Sequence, residues 1–122
     1  LALTDGITIR ALLPAQDHKR IGDGDTGANT GGMGAYAPAP IVTPELMDRI
    51  QQEILEPAIA TLQKRKIDYR GVLYAGLMIT PTGDPKVIEF NCRFGDPETQ
   101  VVLPLLETPL EEVLLACVEQ RL

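Results

Sequence analysis

Residues 71–91 are Gly71-Val-Leu-Tyr-Ala-Gly-Leu-Met-Ile-Thr-Pro-Thr-Gly-Asp-Pro-Lys-Val-Ile-Glu-Phe-Asn91, two apolar-rich runs on either side of a short polar segment. The first run, 71–80, alternates so that Leu73, Ala75, Leu77 and Ile79 share one face of a strand. The segment 81–85, with two prolines and a glycine, is typical of a turn. Because so short a turn joins them, the two strands are predicted to form an antiparallel hairpin.

The second predicted strand continues as Val87-Ile-Glu-Phe-Asn-Cys-Arg93. Side chains two residues apart on a strand point to the same face. Glu89, Asn91 and Arg93 are therefore expected to project together, with the Cβ atoms of Glu89 and Asn91 about 7 Å apart. The residues expected on the opposite, core-facing side are Ile88, Phe90 and Cys92.

This polar row has the composition of a metal–phosphate site. Mg²⁺ takes oxygen ligands, of which the protein often supplies only one or two, and Glu89 and Asn91 are candidates. Arg93 can donate a planar pair of N–H groups to a phosphate. Spacing alone also fits an exposed Glu–Arg pair on a sheet with Asn91 ending the strand. Asp96 is predicted to cap the following helix, and Glu98 to be an ordinary first-turn acid.

A glycine-rich segment, 16–40, contains six of the chain's eleven glycines and no apolar period. Its spacing matches neither a P-loop, nor a dinucleotide-binding loop, nor a calcium loop. A structureless stretch of this length is commonly functional, although a flexible surface loop also fits the composition. Asp17, Lys19, Arg20 and Asn29 supply the opposite charges and amide that a zwitterionic or phosphorylated substrate requires.

The remaining patterns predict an α+β fold with an antiparallel sheet and flanking helices. A first hairpin over 1–13 is expected to turn Leu1, Leu3, Ile7, Ile9 and Leu12 inward. A helix is predicted to begin at Thr43-Pro44, with an interruption at Pro57 and an apolar stripe formed by Leu46, Ile50, Ile54, Ala58 and Leu62. A later helix is expected to distort at Pro104. The last is expected to start with a capping box, Thr108–Glu111, and to bury Leu110, Val113, Leu114, Cys117 and Val118.

Composition narrows the function classes. The chain has 122 residues, a net charge of −6 and one histidine, which argues against a nucleic-acid surface and a multi-histidine zinc site. No apolar run has the length of a membrane span. The two cysteines, Cys92 and Cys117, are far apart and do not form a CxxC pair, which favours a reducing, cytoplasmic setting. The opening Leu1-Ala-Leu-Thr4 is typical of the middle of a strand, so the chain is expected to be part of a longer protein.

Four segments together resemble the glycinamide ribonucleotide synthetase (phosphoribosylamine–glycine ligase) family of the ATP-grasp superfamily. They are Gln16-Asp-His-Lys-Arg20, Gly22-Asp-Gly-Asp-Thr-Gly27, Asn29-Thr-Gly-Gly-Met-Gly-Ala-Tyr36 and Glu89-Phe-Asn-Cys-Arg-Phe-Gly-Asp-Pro-Glu-Thr-Gln100. The resemblance extends over the whole chain. It implies that residues 1–122 are the C-terminal part of an ATP-grasp domain. The reaction implied joins glycine to 5-phosphoribosylamine with ATP, through glycyl phosphate, in purine biosynthesis.

The resemblance also implies roles for individual residues. Glu89 and Asn91 match metal ligands for Mg²⁺ or Mn²⁺, and with Arg93 they match the site of the ATP phosphates. Arg93, Lys19 and Asp17 match catalytic positions. The positions that match the binding segment for glycine and the amine are Asp17, Lys19, Asp25, Asn29, Thr30 and Gly31.

One departure and three alternatives accompany this interpretation. Many ATP-grasp enzymes carry a metal-binding acid on the preceding strand, whereas Gly71–Gly76 contains none. A second metal site is therefore in doubt or depends on Glu89 bridging two ions. The chain alone is expected to be inactive and to bind metal weakly, because the adenine-clasping strands of such enzymes are absent from it. The alternatives are another ATP-grasp carboxylate–amine ligase, a non-catalytic nucleotide- or metal-binding module, and an interaction domain. The last of these leaves the polar row Glu89, Asn91 and Arg93 unexplained.

Overall fold

The computed structural model describes all residues from 1 to 122. It contains eight strands and four α-helices, with a π-helical segment, Gln51–Leu55, between the first two helices and a 3₁₀ turn, Leu103–Leu105, after the third. The strands are β1 Ala2–Thr4, β2 Ile9–Ala11, β3 Gln16–Asp17, β4 Arg20–Gly22, β5 Thr26–Asn29, β6 Ala35–Tyr36, β7 Gly71–Ile79 and β8 Pro85–Asn91. The helices are α1 Pro44–Ile50, α2 Glu56–Lys64, α3 Glu98–Val102 and α4 Leu110–Glu119.

The main sheet has four antiparallel strands in the order β2-β1-β7-β8. Both predicted hairpins are confirmed, with boundaries that differ by few residues from the sequence patterns. Two further pairs, β3–β6 and β4–β5, form small separate sheets. The mixture of antiparallel strands and helices is the predicted α+β class.

The first hairpin buries β1 completely. Ala2, Leu3 and Thr4 are all at most 1% exposed, because β1 lies between β2 and β7 in the sheet and is covered on both faces. The expectation that Ile7 points inward is wrong, since Ile7 lies in the turn and is 65% exposed. Asp5 occupies the buried turn position instead and accepts backbone N–H groups from Ile7 and Thr8 at 2.9 and 2.7 Å.

The predicted start of the first helix is confirmed. Thr43 Oγ1 accepts the backbone N–H of Leu46 at 3.2 Å, and Pro44 occupies the first turn. The helical path is interrupted before Pro57 by the π-helical segment 51–55, which inserts extra residues into one turn. This insertion moves the buried stripe by one position. Leu55 and Ile59 are 3% exposed, whereas the predicted Ala58 and Leu62 are only partly buried.

The core lies between the sheet and the helical segment 44–64. Its seven buried residues are Ala2, Ile9, Leu46, Ile50, Leu55, Ile59 and Leu73. Ala75, Leu77 and Ile79 pack against it, so the predicted inner face of β7 is confirmed. Each large aliphatic side chain buried here stabilises the fold by about 1.5–3 kcal/mol. The structure has no helix with the length and apolar character that a bilayer crossing requires.

The strand β8 differs from its prediction. Ile88 and Phe90 are 63% and 46% exposed and Cys92 is also exposed, so the expectation that these three residues face the core is wrong. Two features explain the difference. β8 is an edge strand that contributes no residue to the core cluster. The register also shifts between Gly76 and Leu77, which pair with Glu89 and Val87, so Ile88 is an unpaired bulge residue.

The C-terminal helices form where predicted but with different caps. Pro97 precedes α3, and no side chain caps this helix, so the capping role predicted for Asp96 is wrong. The Asp96 Oδ1 instead accepts a hydrogen bond from Gln100 Nε2 at 2.7 Å. The helix tightens into the 3₁₀ turn at Pro104 as expected. The capping box before α4 is also absent, because Pro109 occupies the cap position. On α4, Ala116 and Cys117 are buried, whereas Val118 is 63% exposed, contrary to the prediction.

Candidate active site

The polar face of β8 presents two oxygen donors. Glu89 pairs with Gly76 and Asn91 pairs with Tyr74, so both lie on the same face of the hairpin. Glu89 is exposed and Asn91 is half-buried. A Cβ at position 76 would lie 3.2 Å from Glu89 Cγ, so the bare backbone of Gly76 leaves room for the Glu89 side chain.

Arg93 is not part of the same strand. β8 ends at Asn91, and the exposed Arg93 follows in a bend, where its Nη1 donates to the Phe94 carbonyl at 2.9 Å. It takes part in none of the four salt bridges, and neither Asp96 nor Glu98 contacts its guanidinium through a hydrogen bond. Its remaining N–H groups are available to a ligand beside the strand end.

The donor set fits a hard cation with few protein ligands. No group of three or more His, Cys, Asp or Glu residues could hold a metal ion without other ligands. Glu89 and Asn91 offer oxygen atoms only, and Mg²⁺ commonly completes its coordination with water and substrate phosphates. The two residues therefore suit a metal that arrives with a nucleotide better than a resident structural ion. As the sequence indicated, β7 supplies no further acid.

The glycine-rich segment is folded rather than structureless. β3 pairs with β6 and β4 pairs with β5, so residues 16–36 form one long hairpin. Between these pairs, the N–H of Met33 donates to the His18 carbonyl at 2.7 Å. The Thr30 N–H and hydroxyl both donate to the Lys19 carbonyl, at 2.7 and 2.8 Å. The tip turns at Gly24 and Asp25, which have φ angles of 68° and 58°.

The residues predicted to bind substrate do not lie together in one site. Asp25 lines an open polar groove near the hairpin tip, together with His18, Arg20, Ile21, Gly22, Asp23, Gly24 and Met33. Asp17, Lys19, Asn29, Thr30 and Gly31 are not among the groove residues. Lys19 and Asn29 are exposed and Thr30 is half-buried, with its hydroxyl also accepting the Gly32 N–H at 3.1 Å. Only Asp17 turns toward the body of the protein.

Asp17 lies beside α3. Its strand, β3, pairs with β6, which contacts α3, and a Cβ at Gly32 would lie 3.1 Å from both Asp17 Oδ1 and Pro97 Cδ. Both carboxylate oxygens of Asp17 are covered, and no side chain of the protein donates a hydrogen bond to them. Burial raises the pKa of the Asp17 carboxyl, and the nearby charge of Glu98 raises it further, against smaller opposite effects of Lys19 and His18.

Glu98 and Tyr74 complete this acidic cluster, and neither was predicted as a site residue. Glu98 is 6% exposed, so the expectation of an ordinary first-turn acid is wrong. The Tyr74 hydroxyl donates to Glu98 Oε1 at 2.8 Å. Burial, followed by the hydrogen bond to Glu98, raises the pKa of the Tyr74 phenol well above its usual range. In the sequence, the segment Gly95-Asp-Pro-Glu98 contains a glycine close to an acid, which hints that Glu98 is closely packed. Nothing in that segment indicates that Glu98 pairs with a residue of β7.

The fold and this site define a domain of the ATP-grasp class. The model of the family "Phosphoribosylglycinamide synthetase, ATP-grasp (A) domain" matches residues 1–99, and the chain belongs to that family. A crystal structure of phosphoribosylamine–glycine ligase from Thermotoga maritima superposes with a TM-score of 0.84 at 35% sequence identity. The match covers 98% of this chain and 30% of that one.

Curated relatives agree with this assignment. The chain is 82% identical, over its full length, to phosphoribosylamine–glycine ligase of Nostoc sp., and it covers 29% of that protein. It is 62% identical over its full length to the trifunctional purine biosynthetic protein adenosine-3 of Drosophila pseudoobscura, of which it covers 9%. The chain thus spans less than a third of the relatives it matches, and in some of them the equivalent segment lies within a multifunctional protein.

Proposed function

We propose that an intact ligase containing this segment joins glycine to 5-phosphoribosylamine, with ATP converted to ADP and phosphate, in purine biosynthesis. The observation that carries the proposal is the placement of Glu89 and Asn91 on one face of β8 in a chain of this family. Residues 1–122 then form the C-terminal part of the ATP-grasp domain, and the remainder of the same protein clasps the adenine. The setting proposed is the cytoplasm.

In the first step, a carboxylate oxygen of glycine attacks the γ-phosphorus of ATP. This attack forms glycyl phosphate and breaks the bond to the ADP oxygen. Glu89 and Asn91 would hold Mg²⁺ or Mn²⁺, and a bound ion would supply positive charge to neutralise the phosphates. Arg93 uses its free N–H groups to orient the transferred phosphoryl oxygens, since a guanidinium matches them in a planar, two-bond geometry.

In the second step, the neutral amine of phosphoribosylamine attacks the carbonyl carbon of glycyl phosphate. Phosphate leaves with the bonding electrons, and the amine loses a proton to become the amide. The residues proposed to position the two substrates are Asp17, Lys19, Asp25, Asn29, Thr30 and Gly31. Their contribution is chiefly orientation, which can supply several kcal/mol of a barrier without a covalent enzyme intermediate.

Isotope transfer tests both steps in the intact ligase. Glycine labelled with ¹⁸O in its carboxylate should deliver one labelled oxygen to each phosphate released, because that oxygen bridges carbon and phosphorus in glycyl phosphate. Product phosphate without label would contradict the intermediate. ADP formation that does not need glycine and phosphoribosylamine, or that prefers another amino acid, would favour a different ATP-grasp ligase.

We also propose that the 122-residue chain alone is inactive and binds metal weakly. Two observations support this proposal. The chain covers only 29% of the Nostoc ligase, and its candidate metal site offers only two protein residues as oxygen donors. Turnover of ATP with glycine and the amine by the isolated chain would contradict this proposal. A non-catalytic module would instead show nucleotide or metal binding in the intact protein without any ADP formation.

A further inference from the structure

The Arg93 side chain is anchored only within its own segment of chain. Its Nη1 donates to the Phe94 carbonyl at 2.9 Å, and Arg93 takes part in none of the four salt bridges. Residues 92–97, which connect β8 to α3, belong to no helix or strand. The location of the guanidinium therefore depends on the path of this connection. A group that orients a transferred phosphoryl must be held closely, because a displacement of about 1 Å can slow a reaction about 100-fold.

Tyr74 adjoins both ends of the connection 92–97. Asn91, the last residue of β8, pairs with Tyr74 in the hairpin. Glu98, the first residue of α3, accepts the hydrogen bond of the Tyr74 hydroxyl at 2.8 Å. The backbone of one residue thus holds the start of the connection, and its side chain holds the end. Fixing both ends of a short loop restricts the conformations open to it.

The middle of the connection packs against the same pair of side chains. A Cβ at the buried Gly95 would lie 2.7 Å from Tyr74 Cε2 and would collide with Glu98 Oε2, so only bare backbone fits there. The Gly95 carbonyl accepts the backbone N–H of Thr99 at 3.2 Å and also the Thr99 hydroxyl. The chain is therefore held against Tyr74 and Glu98 two residues after Arg93.

The Tyr74 ring lies on the face of the hairpin that carries the candidate metal ligands. Tyr74 and Gly76 are two residues apart on β7 and so share a face, and their partners on β8 are Asn91 and Glu89. A Cβ at Gly76 would lie 3.5 Å from Tyr74 Cε1 and 3.2 Å from Glu89 Cγ. One edge of the ring therefore faces the position of Glu89, and the other faces the connection that carries Arg93.

We propose that Tyr74 is a positioning residue for phosphoryl transfer, whose hydrogen bond to Glu98 holds the connection 92–97, and with it Arg93, beside Glu89 and Asn91. This inference rests on the proposed ligase function. Tyr74 acts through Arg93 rather than on substrate, because its hydroxyl proton is already donated to Glu98. Glu98 is 6% exposed, so water does not readily replace the hydroxyl as a donor when the bond is lost.

The single-turnover rate of ADP formation by the intact ligase, at saturating glycine and phosphoribosylamine, tests this role. Tyr74→Phe removes only the hydroxyl, and at a temperature where the variant stays folded it should lower the rate by about 10- to 100-fold. KM for glycine and for phosphoribosylamine should stay unchanged, because Arg93 acts on the phosphoryl group during its transfer. An unchanged rate in Tyr74→Phe would overturn the proposal.

The double variant with Arg93→Ala shows whether Tyr74 works through the guanidinium. Residues that act as a unit have strongly non-additive effects, so Tyr74→Phe should lower the rate little further once Arg93 is alanine. The same fold-loss in both backgrounds would mean that Tyr74 acts independently of Arg93, and would overturn the proposal. Ile59→Val is the control for lost stability. Ile59 is 3% exposed in the core, so this variant should lower the melting temperature and leave the rate unchanged.

The Glu98 end of the hydrogen bond gives an independent test. Glu98→Gln keeps a carbonyl oxygen that can accept from the Tyr74 hydroxyl, so it should retain much of the rate that Glu98→Ala loses. Equal losses in these two variants would contradict a role for the hydrogen bond.

Failure of the proposed function is recognised separately. An unaltered ligase that forms no ADP with glycine and phosphoribosylamine would remove the ligase function and this inference together, before any variant is made. Arg93→Ala at the full rate would remove Arg93 from the phosphoryl step, and the positioning role of Tyr74 with it. A slow Arg93→Ala beside a fast Tyr74→Phe would overturn the positioning role alone.

Discussion

The Tyr74 hydroxyl donates a 2.8 Å hydrogen bond to Oε1 of Glu98, joining the centre of β7 to the first turn of α3. Tyr74 stands opposite Asn91 in the hairpin, so one residue adjoins both the strand that carries Glu89 and Asn91 and the buried acid Glu98. The two halves of the candidate site are therefore coupled through a single side chain. Loss of its hydroxyl should affect the position of Glu98 before it affects the sheet.

Tyr74→Phe should destabilise the intact ligase by about 1–3 kcal/mol. It leaves the buried Glu98 carboxylate without its only side-chain donor while preserving the ring packing. Thermal unfolding measures the change. Tyr36→Phe is the matched control, because the Tyr36 hydroxyl bonds to Gln16 at an exposed position and its loss should cost much less. Equal shifts for the two variants would contradict a special role for Tyr74.

Gly95→Ala should destabilise by about 1–3 kcal/mol, the usual cost of overpacking. A Cβ at Gly95 would collide with Glu98 Oε2 and lie 2.7 Å from Tyr74 Cε2. Gly31→Ala provides the comparison for stability, since a Cβ there meets nothing within 4 Å. A thermal shift no larger than that of Gly31→Ala would mean that Glu98 moves freely, which is incompatible with its proposed fixed position.

The hairpin formed by β7 and β8 could be predicted because strand alternation and turn chemistry are local properties. The helix start at Thr43 was equally local. The exposure of Ile88 and Phe90 was not, because it depends on the edge position of β8 and on the bulge at residue 88, which only strand pairing determines.

Within the candidate site, the sequence pointed to Glu89, Asn91 and Asp17 but not to Glu98. First-turn acids usually interact favourably with the helix dipole while remaining exposed, so the pattern around Glu98 had an ordinary explanation. Its burial accompanies packing of α3 against β6, the partner strand of β3. This packing brings the charge of Glu98 close enough to raise the pKa of Asp17, which lies far from it in the sequence. Such a long-range contact has no local sequence signal.

Asp5 should make stability depend on acid pH. Burial alone would raise the pKa of Asp5, but hydrogen bonds from the backbone N–H groups of Thr8, Ile7 and Leu122 outweigh burial and hold the pKa below the ordinary range of an aspartate. A group with a depressed folded pKa contributes stability that is complete above its unfolded pKa, and this contribution is lost as pH falls through the folded pKa. Asp5→Asn should therefore destabilise at pH 7 by about 1–3 kcal/mol.

The stability difference between Asp5→Asn and the unaltered ligase should shrink below about pH 4, where the native carboxylate itself becomes protonated. Unfolding measured from pH 7 to pH 2 gives this dependence. Asp48→Asn, at an exposed position on α1, should show little effect at any pH. A difference that stays constant down to pH 2 would mean that Asp5 acts through shape rather than charge.

Glu89→Gln in the intact ligase separates a catalytic metal ligand from a surface acid. Glu89 is exposed and forms no salt bridge, so its replacement by an amide of the same size should leave the melting temperature unchanged. If its carboxylate holds Mg²⁺ against the phosphates, kcat should fall by about 100-fold or more, since the metal supplies several kcal/mol of charge stabilisation. The Mg²⁺ concentration for half-maximal rate should rise as well, because a neutral amide is a weaker ligand.

Glu112→Gln on α4 is the control, and it should change neither kcat nor the Mg²⁺ dependence. Unchanged turnover and unchanged Mg²⁺ dependence in Glu89→Gln would remove Glu89 from the metal site and leave β8 as an exposed edge strand without a catalytic role.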